Sequence, residues 1–515
     1  MSLSTLAADY CPPVLRPAYD RIQASPLGVR LARGVFWSMA GAIISRGLMV
    51  VATVCVARLL GKTGYGELGI IQSTVGMFGV FAGFGLGLTA TKHVAEFRVK
   101  DPARAGRILG LSGVVALVTG GLMALGLAVF APWLASHTIN APQLAGALRI
   151  GALILFISAL NGAQTGALSG FEAFKTIAHV NLFVGLLSFP ILIAGAFCGG
   201  LTGAVWALAV NLGFNWLFNH LALRREARRY GVPFSFKNCS QEWPILLRFS
   251  LPVVLGGIMV TPANWVCGAM LVNQPNGYDE MGMLSAALVF QGLAMFVSGM
   301  LSAPLLAMIT NSGANTSDRL AVANILSSWA LGVFAALPLL CFPELAQLAF
   351  GSAYNTHAFR VTLALCVFCM SIMTYKAGLS RVLAANSLMW WGFLSNSFWA
   401  VILILSALFL VDFGAAGIAV SLTIAYVLNT LILVPLYYSR KLVPKGTLLS
   451  IKSVQIWSVL AGLVLLNVFD VSLYLRALAF LPCVSIAGLA FRAIATPGRI
   501  ATKWRLPAAE PEAYC

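Results

Sequence analysis

The sequence predicts an all-α polytopic membrane protein with fourteen transmembrane helices, arranged as two six-helix bundles plus two C-terminal helices. Three observations predict it. Apolar runs of spanning length recur from end to end, Lys and Arg fall mostly on one side of those runs, and a six-residue motif occurs twice. Of the 515 residues, 59% are apolar and 10% charged, with a mean hydropathy of +0.89, whereas globular chains carry about 25% charged residues. A run of about 20 apolar residues crosses roughly 30 Å of hydrocarbon as a helix.

Hydropathy places spans 1 to 6 at 34–59, 66–91, 108–131, 147–169, 177–198 and 200–221. Spans 7 to 14 follow at 246–272, 283–309, 324–343, 359–381, 389–411, 414–438, 452–470 and 473–495. Residues 1–30, with four prolines and no apolar segment of their own, do not resemble a cleavable signal and read as a cytoplasmic tail. The first bundle takes 31–223, a basic cytoplasmic linker 224–245, the second bundle 246–440, spans 13 and 14 441–495, and a cytoplasmic tail 496–515.

Charge checks the count. With both termini inside, 27 of the 33 Lys and Arg lie on the cytoplasmic side, five outside, and Arg46 alone at mid-membrane depth. One span more or fewer would invert every later loop and erase this asymmetry. The net charge of +17 therefore reads as orientation and attraction to anionic lipid, with no nucleic acid needed. The ten cysteines are scattered and offer no disulfide framework. Cys366 and Cys369 form a CxxC inside a span, read as small packing residues in preference to a redox pair. The five histidines lack metal-ligand spacing, so neither metal nor cofactor is expected.

GYGELG at 64–69 returns as GYDEMG at 277–282, an offset of 213, and Gly79 faces Gly292 at the same offset. GALSGFEAFKTIAHVN at 166–181 lies weakly over RVLAANSLMWWGFLSN at 381–396. Six spans separate the copies, so equivalent spans run in the same direction and a pseudo-two-fold axis lies along the membrane normal. Gly64 and Gly277 are expected to permit tight turns. Glu67 and Glu280 sit in the first turn of the following helix, where a carboxylate meets the positive end of the dipole; proton binding by Glu67 is the alternative. Gly79, Gly83 and Gly87 in span 2 and Gly162, Gly166 and Gly170 in span 4 form ridges for close helix contact. Pro252, Gly256, Gly257 and Pro262 should bend or break span 7, which makes it the expected gate.

Arg46 lies about twelve residues from either end of span 1, about 18 Å of helix at 1.5 Å per residue. Snorkelling does not easily cover that distance, so the charge is expected to face a wet cavity. The duplicate has Met259 in the matching place, which suggests a substrate grip in place of a shared scaffold element. Arg149, Arg248, Arg360, Lys376 and Arg381 lie near span edges, where each alone reads as an interface residue. Together with Arg46 they would line a cationic path on spans 1, 4, 7 and 10, suited to a diphosphate gripped through paired hydrogen bonds. Asn161, Gln164, Asn264 and Gln291 would meet sugar hydroxyls or, equally, bond helix to helix.

The stretch ARLLGKTGYGELGIIQSTVGMFGVFAGFGLGLTATKHVAEF, residues 57–97, resembles the polysaccharide-biosynthesis flippases of the multidrug, oligosaccharidyl-lipid and polysaccharide exporter superfamily. The resemblance implies alternating access in a bacterial inner membrane. An undecaprenyl-diphosphate-linked oligosaccharide would pass from inner to outer leaflet, driven by protons or sodium, with other polysaccharide-assembly proteins as partners. It carries over one residue type, the mid-helix arginine of span 1, onto Arg46. Twelve-helix members stop after the second bundle, so spans 13 and 14 depart from them; fourteen-helix relatives use such a pair for a lipid groove. Two rivals stand beside this reading. A drug exporter of the superfamily should carry intramembrane carboxylates, and a membrane sugar polymerase or ligase should carry a large outer loop.

Overall fold

A computed structural model of the chain describes residues 26–233, 239–245, 258–302, 305–306, 309, 318–386, 388–439, 442, 447 and 450–495, with backbone only at 26–42, 318–319 and 389. Among them every regular element is helical. The first half contains α1 (Pro26–Gly83), α2 (Leu86–Phe97), α3 (Pro102–Trp133), α4 (Ala145–Gly170) and α5 (Phe174–Arg229). The second contains α6 (Val260–Val272), α7 (Gly277–Met300), α8 (Asp318–Cys341), the short α9 (Glu344–Phe350), α10 (His357–Ala385), α11 (Met389–Leu410) and α12 (Gly414–Ser439). The hairpin α13 (Ile451–Val468) and α14 (Leu473–Ala495) follows.

Ten helical segments among the described residues are long and apolar enough to cross a membrane. Three of them, at 55, 56 and 50 residues, would each extend about 75–84 Å if straight, more than twice the roughly 30 Å of hydrocarbon. Each is broken. α1 turns at Gly61 (φ 69°), α5 at Gly200 (φ 54°), and α11 passes to α12 through 411–413 and Gly414 (φ 64°). The left-handed backbone at these points strains any residue with a Cβ, which is why glycine stands there.

These breaks correct the expected turn positions. The chain reverses at Gly61 and at Asn276 (φ 55°), so GYGELG lies inside α1 and GYDEMG forms the first turns of α7. Gly64 makes no turn, and Gly277 is needed for space, because a Cβ there would run into the carbonyls of Leu271 and Val272. Local turn chemistry points to the glycine of the motif; the residues before it, Gly61 and Asn276, carry the positive φ. Arg248, Pro252, Gly256 and Gly257 lie outside the described residues. Pro262 sits in the first turn of α6, where its missing N–H removes no helical bond.

Span 2 is also interrupted, at Phe84 (φ 41°) and Gly85 (φ 62°), between α1 and α2. A neighbouring hydroxyl satisfies a carbonyl this exposes. Thr119 of α3 donates to Ala82 O (2.8 Å), the usual remedy for a broken helix without water, while the Thr89 hydroxyl adds to Gly85 O (3.1 Å), which already accepts the first backbone bond of α2. The glycine ridges meet just beyond this break. A Cβ on Gly166 would enter the backbone of Gly87, and Thr91 bonds both Gly87 O (2.8 Å) and Gly166 O (2.9 Å).

The last hairpin is fixed to the second half. Asn467 donates to Leu340 O (2.8 Å), and the buried Arg476 guanidinium bonds Glu344 and Val471 O (3.0 Å). Trp329 of α8 stacks on Trp457 of α13 and meets Phe491 of α14 edge-on, with ring centroids 5.2 and 5.0 Å away. Cys366 and Cys369 are buried among α10's neighbours, as packing residues.

Gly166→Val should lower the thermal midpoint of the purified protein by several degrees, from an overpacking cost of about 1–3 kcal/mol. Gly162→Ala, whose Cβ meets nothing within 4 Å, should leave it unchanged. Fluorescence-detected unfolding reads both.

Candidate functional site

A cavity of about 500 Å³ lies between α1 and α5 on one side and α6, α7 and α12 on the other. It runs from Arg46 and Gly292 at mid-helix to Tyr65 and Met281 at the repeated motifs. Thr53, Gln72, Ser73, Asn264 and Ser285 supply its other polar groups, and the described lining contains no Asp or Glu.

Arg46 is half-buried and faces the Phe296 ring, its guanidinium carbon 5.5 Å from the centroid. Its Nε is buried without a hydrogen-bond partner. Gly292 makes room for this head, since a Cβ there would lie 3.5 Å from Nη2. The site therefore presents a cation with an unused donor, on a described wall that is otherwise neutral and mostly apolar, with a few hydroxyls and amides.

The motifs close the end of the cavity remote from the arginine-rich connections, the far end. A side chain on Gly66 would collide with the Tyr278 carbonyl, and one on Gly282 with the Lys62 carbonyl, so the two copies touch backbone to backbone. Thr63 also donates to Asp279 across this contact. Each tyrosine then reaches under the other half. Tyr278 donates to Ile139 O (2.7 Å), and Asn273 to Thr138 O (2.7 Å), in the connection after α3. Tyr65 packs on Phe350 (6.3 Å between centroids), and Arg58 donates to Ala349 O (2.6 Å) and Leu348 O at the C-terminal end of α9. A cation there also opposes the negative end of the helix dipole. Phe350, Tyr354 and Phe359 extend this aromatic cluster, and burial raises the Tyr354 phenol above its ordinary pKa.

The remaining predicted residues are placed elsewhere. Asn264 joins Arg46 in the cavity lining and donates to Val260 O (2.9 Å). Arg381, 4% exposed, donates four hydrogen bonds to Asn324, Ser302 and Ser328. Lys376 bonds Asn429 and lies over the Tyr426 ring. Arg360 pairs with Asp470 (2.8 Å) beside Glu344, and Arg149 is exposed near the start of α4. Asn161 accepts from Asn219 (2.8 Å), and Gln291 donates to Met373 Sδ (2.7 Å) with its own oxygen unpaired. Gln164 belongs to a second cavity, described below. Glu67 bonds Gln143, outside the central lining, while Glu280 accepts from the Ala415 N–H (2.7 Å) at the start of α12. The described part of the expected four-span path therefore contributes one cation to the cavity, Arg46. Sequence reasoning missed Tyr65, Tyr278 and Phe296; the tyrosine in both motif copies was the available signal for the first two.

Fold and site together define a class: an all-helical protein with ten membrane-length apolar segments among the described residues and a charged cavity between them, closed at one end by the paired motifs. The chain belongs to the polysaccharide biosynthesis protein family, whose sequence pattern matches residues 31–309. It is similar to the EPS I polysaccharide export inner membrane protein EpsE of Ralstonia nicotianae, 25% identical over 404 residues that cover 75% of this chain and 89% of that one. It is also similar to the lipid III flippase of Escherichia coli, 23% identical over 261 residues, 49% of this chain and 60% of the relative. The fold is similar to the solved lipid II flippase MurJ in its inward closed conformation, with a TM-score of 0.60 and 15% identity, covering 89% of this chain and 97% of that one.

Replacing Gly282 by Val should wedge the motif contact apart and open the cavity at the far end. Alkylation of Cys267, which lines the cavity, by a membrane-impermeant thiol reagent should then rise several-fold, read by site-resolved mass spectrometry. An unchanged rate would show that the contact is not what closes that end.

Proposed function

We propose that this protein flips a lipid-linked oligosaccharide, with Arg46 gripping the diphosphate of an undecaprenyl-diphosphate-linked repeat unit in the central cavity. The observation that carries the reading is the guanidinium itself, with a buried Nε lacking a partner and no carboxylate in the described lining. A charge at membrane depth costs at least about 2.5–3.5 kcal/mol on insertion scales, and an arrangement that leaves it unpaired must gain elsewhere. A diphosphate supplies the missing acceptors in the geometry a guanidinium matches. The names of the relatives, an exporter of EPS I polysaccharide and a lipid III flippase, support the same class.

In this reading the chain crosses a bacterial inner membrane fourteen times. The breaks in the three long segments raise ten to thirteen, and α6 adds one more. Residues 31–223 and 246–440 form two bundles about an axis along the membrane normal, and 441–495 forms a third unit. The exchange of Tyr65 and Tyr278 beneath each other's outer connections supports this symmetry. The basic linker at 224–245 and both termini, 1–30 and 496–515, lie in the cytoplasm. The paired motifs then close the outer side, and their separation releases the sugar head while the prenyl tail stays in lipid. A proton or sodium gradient drives the cycle. A cavity without acidic lining among the described residues is poorly suited to organic cations, which disfavours the drug-exporter alternative.

Arg46→Ala should abolish surface glycan delivery while protein level and membrane insertion stay normal. Arg46→Lys should retain a fraction, because a point charge replaces a forked donor. Normal glycan from the alanine variant would remove Arg46 from the site. Purified protein in liposomes should translocate a diphosphate-linked lipid oligosaccharide; efflux of organic cations in its place would transfer the chain to the exporter class.

A further inference from the structure

A second cavity, of about 620 Å³, lies between the basic-end halves of α3 and α4 and the last turns of α5. Its size is within the range of ligand sites, and none of its lining residues lines the Arg46 cavity. The trough is apolar, with Leu109, Leu160 and Leu223 on its walls. Val114 and Leu117 carry it onto the lipid-facing surface of α3, where they are 38% and 56% exposed.

One end of the trough is cationic. His220, Arg224 and Arg228 recur every four residues, so they form one stripe on α5, and all three line the cavity. Other arginines at this end are matched: Arg98 to Glu172 (2.7 Å), and Arg104 and Arg107 to Glu242 (3.1 and 3.2 Å). Arg224 and Arg228 have no acidic partner among the described residues. Beneath them a polar platform is fixed in place. Trp216 stacks on His220 (5.5 Å), and Gln164, with its amide turned to satisfy both neighbours, donates to Trp216 O and accepts from the Trp216 indole N–H, both at 3.0 Å.

We propose that this groove binds an anionic glycerophospholipid of the leaflet at the basic end, its phosphate at Arg224 and Arg228 and one acyl chain along the apolar trough. Charge complementarity selects the anionic head. Continuity of the trough with the lipid-facing side of α3 selects a molecule with a tail, since a free phosphate ion would gain nothing from Leu109, Leu160 or Leu117. The site accounts for Gln164, whose polarity at membrane depth serves this groove. It does not depend on the flippase reading.

The test uses the full-length protein in nanodiscs with phosphatidylglycerol carrying a photoreactive diazirine in its acyl chain, the labelled peptides being mapped by mass spectrometry. Labelling is expected on the α3, α4 and α5 segments that line the groove. Unlabelled phosphatidylglycerol should compete at least about tenfold better than phosphatidylcholine, equivalent to about 1.4 kcal/mol. The double variant Arg224→Gln/Arg228→Gln should lose that preference, while Arg46→Ala keeps it. Leu117→Trp, which blocks the mouth without removing charge, should reduce labelling independently. Equal competition by phosphatidylcholine, unchanged labelling in the double variant, or equal competition by inorganic phosphate would each overturn the proposal. Stronger competition by an undecaprenyl diphosphate than by phosphatidylglycerol would overturn it in favour of the transported lipid.

Discussion

A guanidinium that must keep its charge at membrane depth is the constraint from which the central architecture follows. Hydrocarbon does not solvate it, and the first helix is too long on either side of Arg46 for the side chain to reach water easily. The charge is tolerable only if helices stand apart around it, and the space between α1, α5, α6, α7 and α12 is that gap. Phe296 supplies a π face and Gly292 the absence of a side chain, which together let the head lie in the gap without an ion-pair partner. The remainder is mostly apolar, with Thr53, Gln72, Ser73, Asn264 and Ser285 as neutral polar groups that leave the cation uncompensated.

The same gap has to end somewhere, and the glycines of the repeated motif are what allow an abrupt end. Backbone contact at Gly66 and Gly282 brings two helices closer than any side chain permits, and without a hydrophobic drive between helices in lipid such packing is a main source of attraction. Tyr65, Tyr278, Arg58 and Asn273 then tie each half to a connection of the other. These contacts involve side chains, connection carbonyls and last-turn carbonyls of α9, so they can break without disturbing the bonds inside a helix. A closure built this way is firm yet separable.

Hydrogen-bond accounting distinguishes Arg46 from the other buried cations. Arg381 donates to three neighbouring side chains, Lys376 is held by Asn429, and Arg476 is held by Glu344. Those residues fasten helices, because an engaged cation in a low-dielectric interior is a strong and immobile contact. Their positions at span edges looked alike in the sequence, and only the partners separate a fastener from a free grip.

The sequence by itself determined the helical class, the position of most of the long apolar segments, and the presence of one arginine far inside the first of them. These depend on local hydropathy over about 20 residues, which lipid enforces more strictly than water does. It also marked Gly87, Gly166 and Gly170 as close-packing glycines, whereas Gly83 of the same expected ridge stands in open space. What it left open was decided by tertiary structure. The turn moved from Gly64 to Gly61, Gln164 moved into a separate groove, and Arg360 and Arg381 found partners on distant segments. The physical reason is that hydropathy reports whether a residue can lie in a span, whereas the direction in which its side chain points and the group it meets depend on helix rotation and on neighbours hundreds of residues away.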